Sequence, residues 1–579
     1  MSERVINTER SADLVTHKIF VAGDELPQRY HVINIVVEKE IFRIPSATII
    51  LQDGDISAQD FELSNSDLFI PGKEIEIKAG YHSQESIIFR GIVIKHCLKI
   101  RRGHSYLIVE CKDKAVKMTV GRKSKYFYNS KDSEIIEEII NSYGLNKEVE
   151  STDTSNQEIV QYNVTDWDFM VSRMQANGKV CIVDDGKIII KKPDINQEPV
   201  ETITYGATLL DFDAEIDARN QFQKVTSYGW NEADQEYMET EADSPDLELN
   251  GNLTSDDLAQ VIGLDNLQLR NGNGNNSALS GWANARKLFN QLSKTRGRVR
   301  FQGIPSVKPN CLLLLKGVGN RFNGNIYISA CRHEISEGNW TIDAQFGISP
   351  KWFTETFEIN ELPASGLTSA VNGLQIGVVT GLENDPENSG RIAIKLPVVD
   401  SQSEGIWARV ATLDAGENRG SFFLPEPGDE VIVGFLNDDP DRPIVLGMLN
   451  SSAKPPPITA KDENHEKGFV TRSEIRFIFN DEKKSVTIKT PGGKKAVLDD
   501  DAGAIRFEDE NGNNIAIDSS GITIDSKGDI KIKATGNISI EGMNVNAKAN
   551  AQFKAEGSAG AEVSSGAVSV IKGSVVQIN

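Results

Sequence analysis

Two acidic runs, Asp499-Asp500-Asp501 and Glu508-Asp509-Glu510, hold carboxylates close enough in sequence to suggest acid–base work. Such work needs two carboxyl groups aimed at one bond, whereas consecutive residues of a β segment point to alternate faces. Each run adjoins a glycine, Gly503 or Gly512, so the pattern predicts solvated turns. His333, in "ACRHEIS", is a candidate general base, but no nucleophile accompanies it and a structural role is expected. The seven histidines are dispersed, with no H-E-x-x-H and no paired Cys/His spacing, so no metal site is expected. Neither a G-x-S-x-G elbow nor a G-x-x-x-x-G-K-[ST] loop occurs. No catalytic residue and no cofactor is therefore assigned. Cys97, Cys111, Cys181, Cys311 and Cys331 form no C-x-x-C pair and are expected to be reduced, buried thiols.

The formal charge of −22 opposes a general role on nucleic acid or anionic membrane, which basic surfaces hold. The basic run Lys114 to Lys125 is expected to be a solvated face. With 25% charged and 39% hydrophobic residues the composition is that of an ordinary globular protein, and 579 residues predict several domains. No segment approaches the roughly 18 apolar residues of a membrane span. The start, Met1-Ser-Glu-Arg, lacks a signal peptide, so synthesis in the cytoplasm is expected, with a carrier machine for anything done outside.

The elements that would position any site are mostly strands. Residues 1 to about 115 alternate as in "HVINIVVEKE", where Val32, Ile35 and Val37 are apolar. "KDSEIIEEIINSYGL" predicts a helix capped by Asp132 or Ser130 and stopped at Gly144. "TDWDFMVSRMQANG" predicts a second, capped by Thr165, with Trp167, Met170, Val171 and Met174 on one face. A hairpin is expected around Asp185-Gly186, then an acidic irregular stretch from Asn231 to Gly251. After "NGNGNNS" a third helix carries Leu279, Trp282, Ala285, Phe289 and Leu292 as a core stripe. Five or six strands between Ile376 and Asn450 suit a small OB-type barrel, and "AKPPP" (453–457) reads as a stiff linker. That barrel is acidic across Asp429, Glu430, Asp438, Asp439 and Asp441, which opposes nucleic-acid binding.

From about Ile475 onward only strands and turns are expected. Gly528 and Gly536 open two Gly-x-Ile-x-Ile octads, and from Val545 to Glu556 apolar and polar residues alternate without exception. Strands so short cannot bury enough surface alone. Three copies around a threefold axis would each supply one wall of a prism, bury the apolar face and pair their edges. The pattern departs from the octad at Asn544 and Gly542 and loosens beyond Gly557. A single-chain β-solenoid, as carbohydrate-active enzyme or adhesin, is the alternative.

"GRIAIKLP" and "WARVATLDAGENRGSFFLPEPGDEVIVGFLNDDPDRPIVLG" closely resemble the OB-fold signature of VgrG proteins, spikes of type VI secretion and related phage-tail-like contractile injection systems. "VQYNVTDWDFMVSRMQANG" (160–178), "FRGIVI" (89–94) and "RFNGNIYISACRHEISEGNW" (321–340) resemble the family's hub, and the octads its needle. The resemblance implies a mainly β homotrimer: a phage-hub-like β-barrel base with helical insertions over 1–365, an OB-fold collar over 374–452, a linker over 453–474, and an intertwined triple-stranded β-helix over 475–579. It implies a non-enzymatic puncturing spike that joins an inner-tube (Hcp-like) protein and baseplate to a tip. A PAAR-repeat tip protein is the expected cap, with Val575, Val576, Ile578 and Asn579 as its contacts, and effectors are possible further cargo. No histidine follows His465, so a self-capped metal tip is not expected, nor is an enzymatic domain between barrel and needle or after Asn579. The expected location is cytoplasmic until assembly, then the injection particle and the extracellular space or a target cell, with only transient membrane contact.

Overall fold

In the computed structural model, residues 14–243, 247, 250–273 and 275–578 are described. They divide into two compact units, the first holding 1–371 with 437–440 and the second 372–436 with 441–579. The chain is mainly β.

The first unit is built on a 13-stranded sheet. From one end its order is Leu209–Ile216, Thr295–Gln302, Asn339–Phe346, Gly324–Ser336, Val32–Glu40, Ser46–Gln52, His104–Lys112, Gln84–Arg101, Glu74–Tyr81, Thr16–Val21 and Asp24–Glu25. Glu201–Thr204 and Leu312–Lys316 join it at the side, against Gly324–Ser336. Alternation sets the buried face: Ile35, Val37, Ile49, Leu51, Leu107 and Val109 lie in one core, and Val299, Phe301, Leu313, Ile326, Ile342 and Ala344 in another. Val32 is only half-buried, because the pairing register with Ser46–Gln52 shifts between Val32 and Asn34 and re-phases the strand.

A third core is helical. Asp166–Ala176 forms as expected, with the Thr165 hydroxyl accepting from the Asp168 N–H at 3.1 Å and Trp167, Met170, Val171 and Met174 buried. Asp132–Ser142 begins differently from the sequence expectation. Lys131 stands at its N-cap, and the Glu134 carboxylate accepts from the Lys131 N–H at 2.8 Å. Asp132 is drawn instead to Arg173, whose Nε donates at 2.7 Å, so it ties the two helices together. The third expected helix spans Asn276–Leu292 and buries Leu279, Ala285, Phe289 and Leu292. The hairpin around Asp185 and Gly186 forms with both residues at positive φ, 52° and 87°.

One element departs from the reading of 231–251, and another, beyond it, is absent from that reading. Glu236–Glu241 is a strand paired to Lys224–Asn231, not irregular chain, and Ser255–Ile262 is a helix. Propensity hid both, because acidic residues are poor strand formers and that helix is short and weakly apolar.

Two charge clusters hold this unit. Lys39 is only 3% exposed, and its amine donates to Asp184 at 2.7 Å and lies 3.3 Å from Asp185. Burial opposes its charge, but Asp185 and Asp184 prevail and hold the amine above its ordinary range. The pair fixes a sheet strand to the Asp185 hairpin. Asp166, with its side chain 4% exposed, accepts from Lys123 at 2.6 Å, Tyr143 at 2.7 Å and Gln161 at 2.7 Å. Burial alone would raise its carboxyl, yet these donors hold it below the usual carboxylate value.

A carboxyl depressed on folding stabilises above its unfolded value and loses that stabilisation as pH falls through its folded one. Asp166→Asn is therefore expected to cost about 1–3 kcal/mol at neutral pH in denaturant melts. The difference from the parent should close as the pH drops below the ordinary carboxylate range.

The second unit opens with a closed five-stranded barrel of Gln375–Gly381, Ile392–Lys395, Ile406–Val410, Pro443–Met448 and Glu430–Phe435. Val379, Ile392, Ile394, Ala408, Val431, Val433 and Val445 fill it. Asp385 accepts from the Arg391 guanidinium and from the backbone N–H groups of Glu387, Ser389 and Arg391, which closes the loop between the first two strands.

Candidate functional site

The residues first weighed for catalysis are structural. Asp499 accepts from the Ala502 N–H at 2.9 Å, and Asp509 accepts from the N–H groups of Asn511 and Asn513, so both runs close turns as the sequence predicts. His333 is buried beside Trp340, and burial, with Lys39 and Lys308 nearby, pushes its imidazole down to about 3. It stays neutral at any physiological pH and lies out of reach of a substrate. The basic run is largely neutralised: Lys114 pairs with Glu74, Lys123 with Asp166 and Lys125 with Glu138. Four cysteines are buried and Cys97 is half-buried. Among the described residues no cluster of His, Cys, Asp or Glu has metal-binding geometry, and no helix is long and apolar enough to cross a membrane.

The candidate site is instead a surface that a single chain leaves uncovered. Glu466–Val470, Arg476–Asn480, Ser485–Lys489, Lys495–Asp499, Ala504–Glu508, Asn514–Asp518 and Gly521–Asp525 form an antiparallel meander of seven five-residue strands. The strands match in length, so one register repeats from ladder to ladder. Phe477, Ile488, Ala496, Phe507, Ile515 and Ile524 stand side by side in one cross-strand row. Phe479, Val486, Leu498, Ile505, Ile517 and Ile522 form a second row beside it on the same face. The opposite face carries Arg476, Thr487, Lys489, Arg506, Glu508, Asp518 and Thr523 among others. From Arg476 to Asp525 each strand adds to both rows, though Ile478 and Val497 lie on the opposite face, and Glu466–Val470 brings Lys467 and Phe469 to the apolar one.

That apolar face is open. Leu498 is 51% exposed, Phe507 49% and Ile522 71%. A fully buried aliphatic or aromatic side chain is worth ~1.5–3 kcal/mol, so about 1 kcal/mol remains to be gained at each residue and on the order of 10 kcal/mol per chain. Exposed contiguous apolar surface on this scale marks an interaction site. The meander is anchored to the barrel by the Phe423 and Phe469 rings, stacked 5.1 Å apart, and by Arg472 and Glu426 at 2.8 Å.

Beyond Asp525 the sequence keeps its alternation but no ladder forms. Among the described residues, 529–578 make no backbone–backbone hydrogen bond and lie wholly exposed. Ile530, Ile532, Ile538 and Ile540 of the octads face solvent, as do Val545 and Phe553. Of the expected tip contacts, Val575 and Ile578 are 80% and 87% exposed and Val576 49%, while Asn579 lies outside the described residues. The sequence reading pairs backbones between chains over all of 475–579. Across 476–525 the ladders run within one chain instead, because tight two- to five-residue turns let each strand fold back on its neighbour. This antiparallel pairing is also unlike the parallel coils of a β-solenoid.

If the open face is a working surface, the two faces differ in their tolerance of charge. Ile517→Lys is expected to lower the mass of the purified particle in sedimentation, whereas Ala516→Lys, on the opposite face of the same strand, leaves it unchanged.

Residues 11–337, more than half of the chain, match the family described as the Alg8 N-terminal domain. Residues 375–449, the barrel, match the Type VI secretion system/phage-baseplate injector OB domain. Curated relatives include the type VI secretion system spike protein VgrG3 of Vibrio cholerae, 34% identical over 111 residues, which are 18% of this chain and 11% of that protein. VgrG1b of Pseudomonas aeruginosa, also named a type VI spike protein, is 27% identical over 196 residues, 31% of this chain and 25% of its own length. The actin cross-linking toxin VgrG1 of V. cholerae is 32% identical over 153 residues, 25% of this chain and 13% of that protein. The chain thus spans no more than a quarter of the length of these relatives. Among solved structures, the tail protein from Neisseria meningitidis MC58 aligns over 59% of this chain and 99% of its own, with 13% identity and a TM-score of 0.43. The E. coli c3393 protein, described as a component of the type VI secretion system, aligns over 75% of this chain and 100% of its own, with 12% identity and a TM-score of 0.37.

Proposed function

The chain belongs to the family of the Alg8 N-terminal domain and carries the injector OB domain, and from that premise we propose that it is the structural spike of a contractile injection machine. Three copies form the working particle. The first unit, as a base over 1–365, sits on the inner-tube (Hcp-like) protein and the baseplate. The barrel over 374–452 is a collar, 453–474 a linker, and 475–579 a membrane-puncturing needle that carries a tip protein and effectors.

The observation that carries this reading is the two-row apolar face of the meander together with the unladdered chain after it. Three amphipathic sheets around a threefold axis bury their apolar faces against one another and leave their polar faces to water. Residues 529–578 then find across chains the backbone partners they lack within one, and their alternation lets each strand bury one side at the axis. Small residues such as Ala547, Ala549 and Ala551 suit that narrow interior, where three large side chains would collide.

A shaft of this kind transmits force because no chain can leave it without breaking contacts along the whole length. The function is mechanical, and no turnover is proposed. Val575, Val576, Ile578 and Asn579 are the residues proposed to contact a PAAR-repeat tip protein. The particle is built in the cytoplasm and then delivered to the extracellular space or a target cell, with transient membrane contact.

Light scattering on the purified full-length protein is expected to give three times the 63.6 kDa chain mass. A truncation ending near Lys454 should associate more weakly, and a monodisperse full-length monomer would overturn the reading. Val575→Asp with Ile578→Asp is expected to leave the trimer intact and to abolish co-purification with a co-expressed PAAR-repeat protein.

A further inference from the structure

Two hairpins of the first unit carry opposite charge at their tips. The strands Gln84–Arg101 and His104–Lys112 close through Arg102 and Gly103, both at positive φ (42° and 86°), with Arg101 paired to His104. A two-residue turn of this kind matches the strand twist and makes a stiff ribbon. Lys99, Arg101 and Arg102 are exposed on it and, among the described residues, form no ion pair, while Lys95 further down pairs with Glu110 at 2.8 Å. Ile100, 61% exposed, and Leu98 line one side of the ribbon.

The second hairpin joins Lys224–Asn231 to Glu236–Glu241. Glu232, Asp234, Glu236 and Glu239 are exposed without a cationic partner among the described residues, while Glu241 at its base pairs with Lys224 at 3.1 Å. Tyr237 is 81% exposed, its ring edge-on to Trp230 at 5.2 Å, so apolar surface sits among the carboxylates.

We propose that the basic tip of one copy docks on the acidic hairpin of the next, three such contacts closing the ring of bases. This rests on the three-copy reading above and names the contact that sets its register. A ring built by rotation needs two different, complementary patches on each chain. These two belong to different sheets: the basic ribbon is part of the large sheet, and the acidic hairpin is part of a separate three-stranded sheet with Asn266–Asn273. Chains of net charge −22 repel one another overall, so a local basic-to-acidic match is where encounter is favoured. The exposed Ile100 and Leu98 on one tip and Tyr237 on the other give the contact an apolar centre within the charged rim.

The test uses two full-length chains, co-expressed, one with His104→Cys and the other with Ala233→Cys, treated with a short bis-maleimide. A covalent pair of chains should form only when both cysteines are present. Adding Arg101→Glu and Arg102→Glu should lower its yield at least tenfold, and adding Glu236→Arg and Glu239→Arg as well should restore it. A trimer by light scattering with no linked pair, or with a yield indifferent to these charges, overturns the contact and leaves the three-copy reading standing. Linkage of the tip to a different acidic protein overturns it likewise. A monomer overturns both.

Discussion

An apolar sheet face cannot stay in water, and the meander between Glu466 and Asp525 has one with nothing in its own chain to cover it. Two adjoining rows of Phe, Ile, Leu and Val run across its strands, and the next fifty residues continue the alternation without pairing their backbones. In the three-copy proposal, folding of the second unit is inseparable from association. A barrel of seven buried apolar side chains gives it a self-sufficient beginning, and in that proposal the chain after the barrel takes its core from other copies. The order is useful mechanically. The self-contained barrel can form first, and in the three-copy proposal the shaft then gains its stability cooperatively, layer by layer.

The first unit obeys a different constraint. Residues of its own large sheet line two closed cores, and its charges serve fixation. Lys39 with Asp184 and Asp185 fastens a sheet strand to the Asp185 hairpin, and Lys308 reaches the same carboxylate at 2.6 Å. The row Asp211, Arg300, Asp343, Arg332 and Glu38 alternates in sign across neighbouring strands. Arg300 meets Asp343 at 2.7 Å within that row. Opposite charges directly across a ladder hold register where the apolar pattern gives no further choice. Slipping by one residue would set Arg300 opposite Ile342 or Ala344 and leave the charges on that face unpaired.

Much of this was legible in the chain. The helix at Asp166 announced itself by Thr165 and a four-residue apolar stripe, the barrel by strands crowded between Pro/Gly turns, and the inert carboxylates by the glycines beside them. The strand Glu236–Glu241 was not legible, because its acidic side chains disguise a ladder held by Lys224–Asn231 and by packing of the helix Asn276–Leu292. Nor was the cap of the first helix, where Asp132 has the right chemistry for capping but a stronger partner in Arg173. His333 was read correctly as structural, though no local pattern signalled that Trp340 and two lysines lie near it.

By itself the sequence determined the class of the fold, the absence of any recognisable catalytic motif and the demand of the C-terminal strands for partners. Those properties follow from local pattern: period-two alternation fixes which face must be buried, and residue types fix what chemistry is available. Tertiary structure decided which strands answer that demand within the chain and which do not. Alternation is the same in Asn514–Asp518, which pairs in a meander, and in residues 545–556, which pair with nothing. What separates them is whether a turn can fold one strand back on another in register, and that depends on the geometry of the whole sheet. That residues 99–102 and 232–239 each form an exposed hairpin tip of one charge was decided there too.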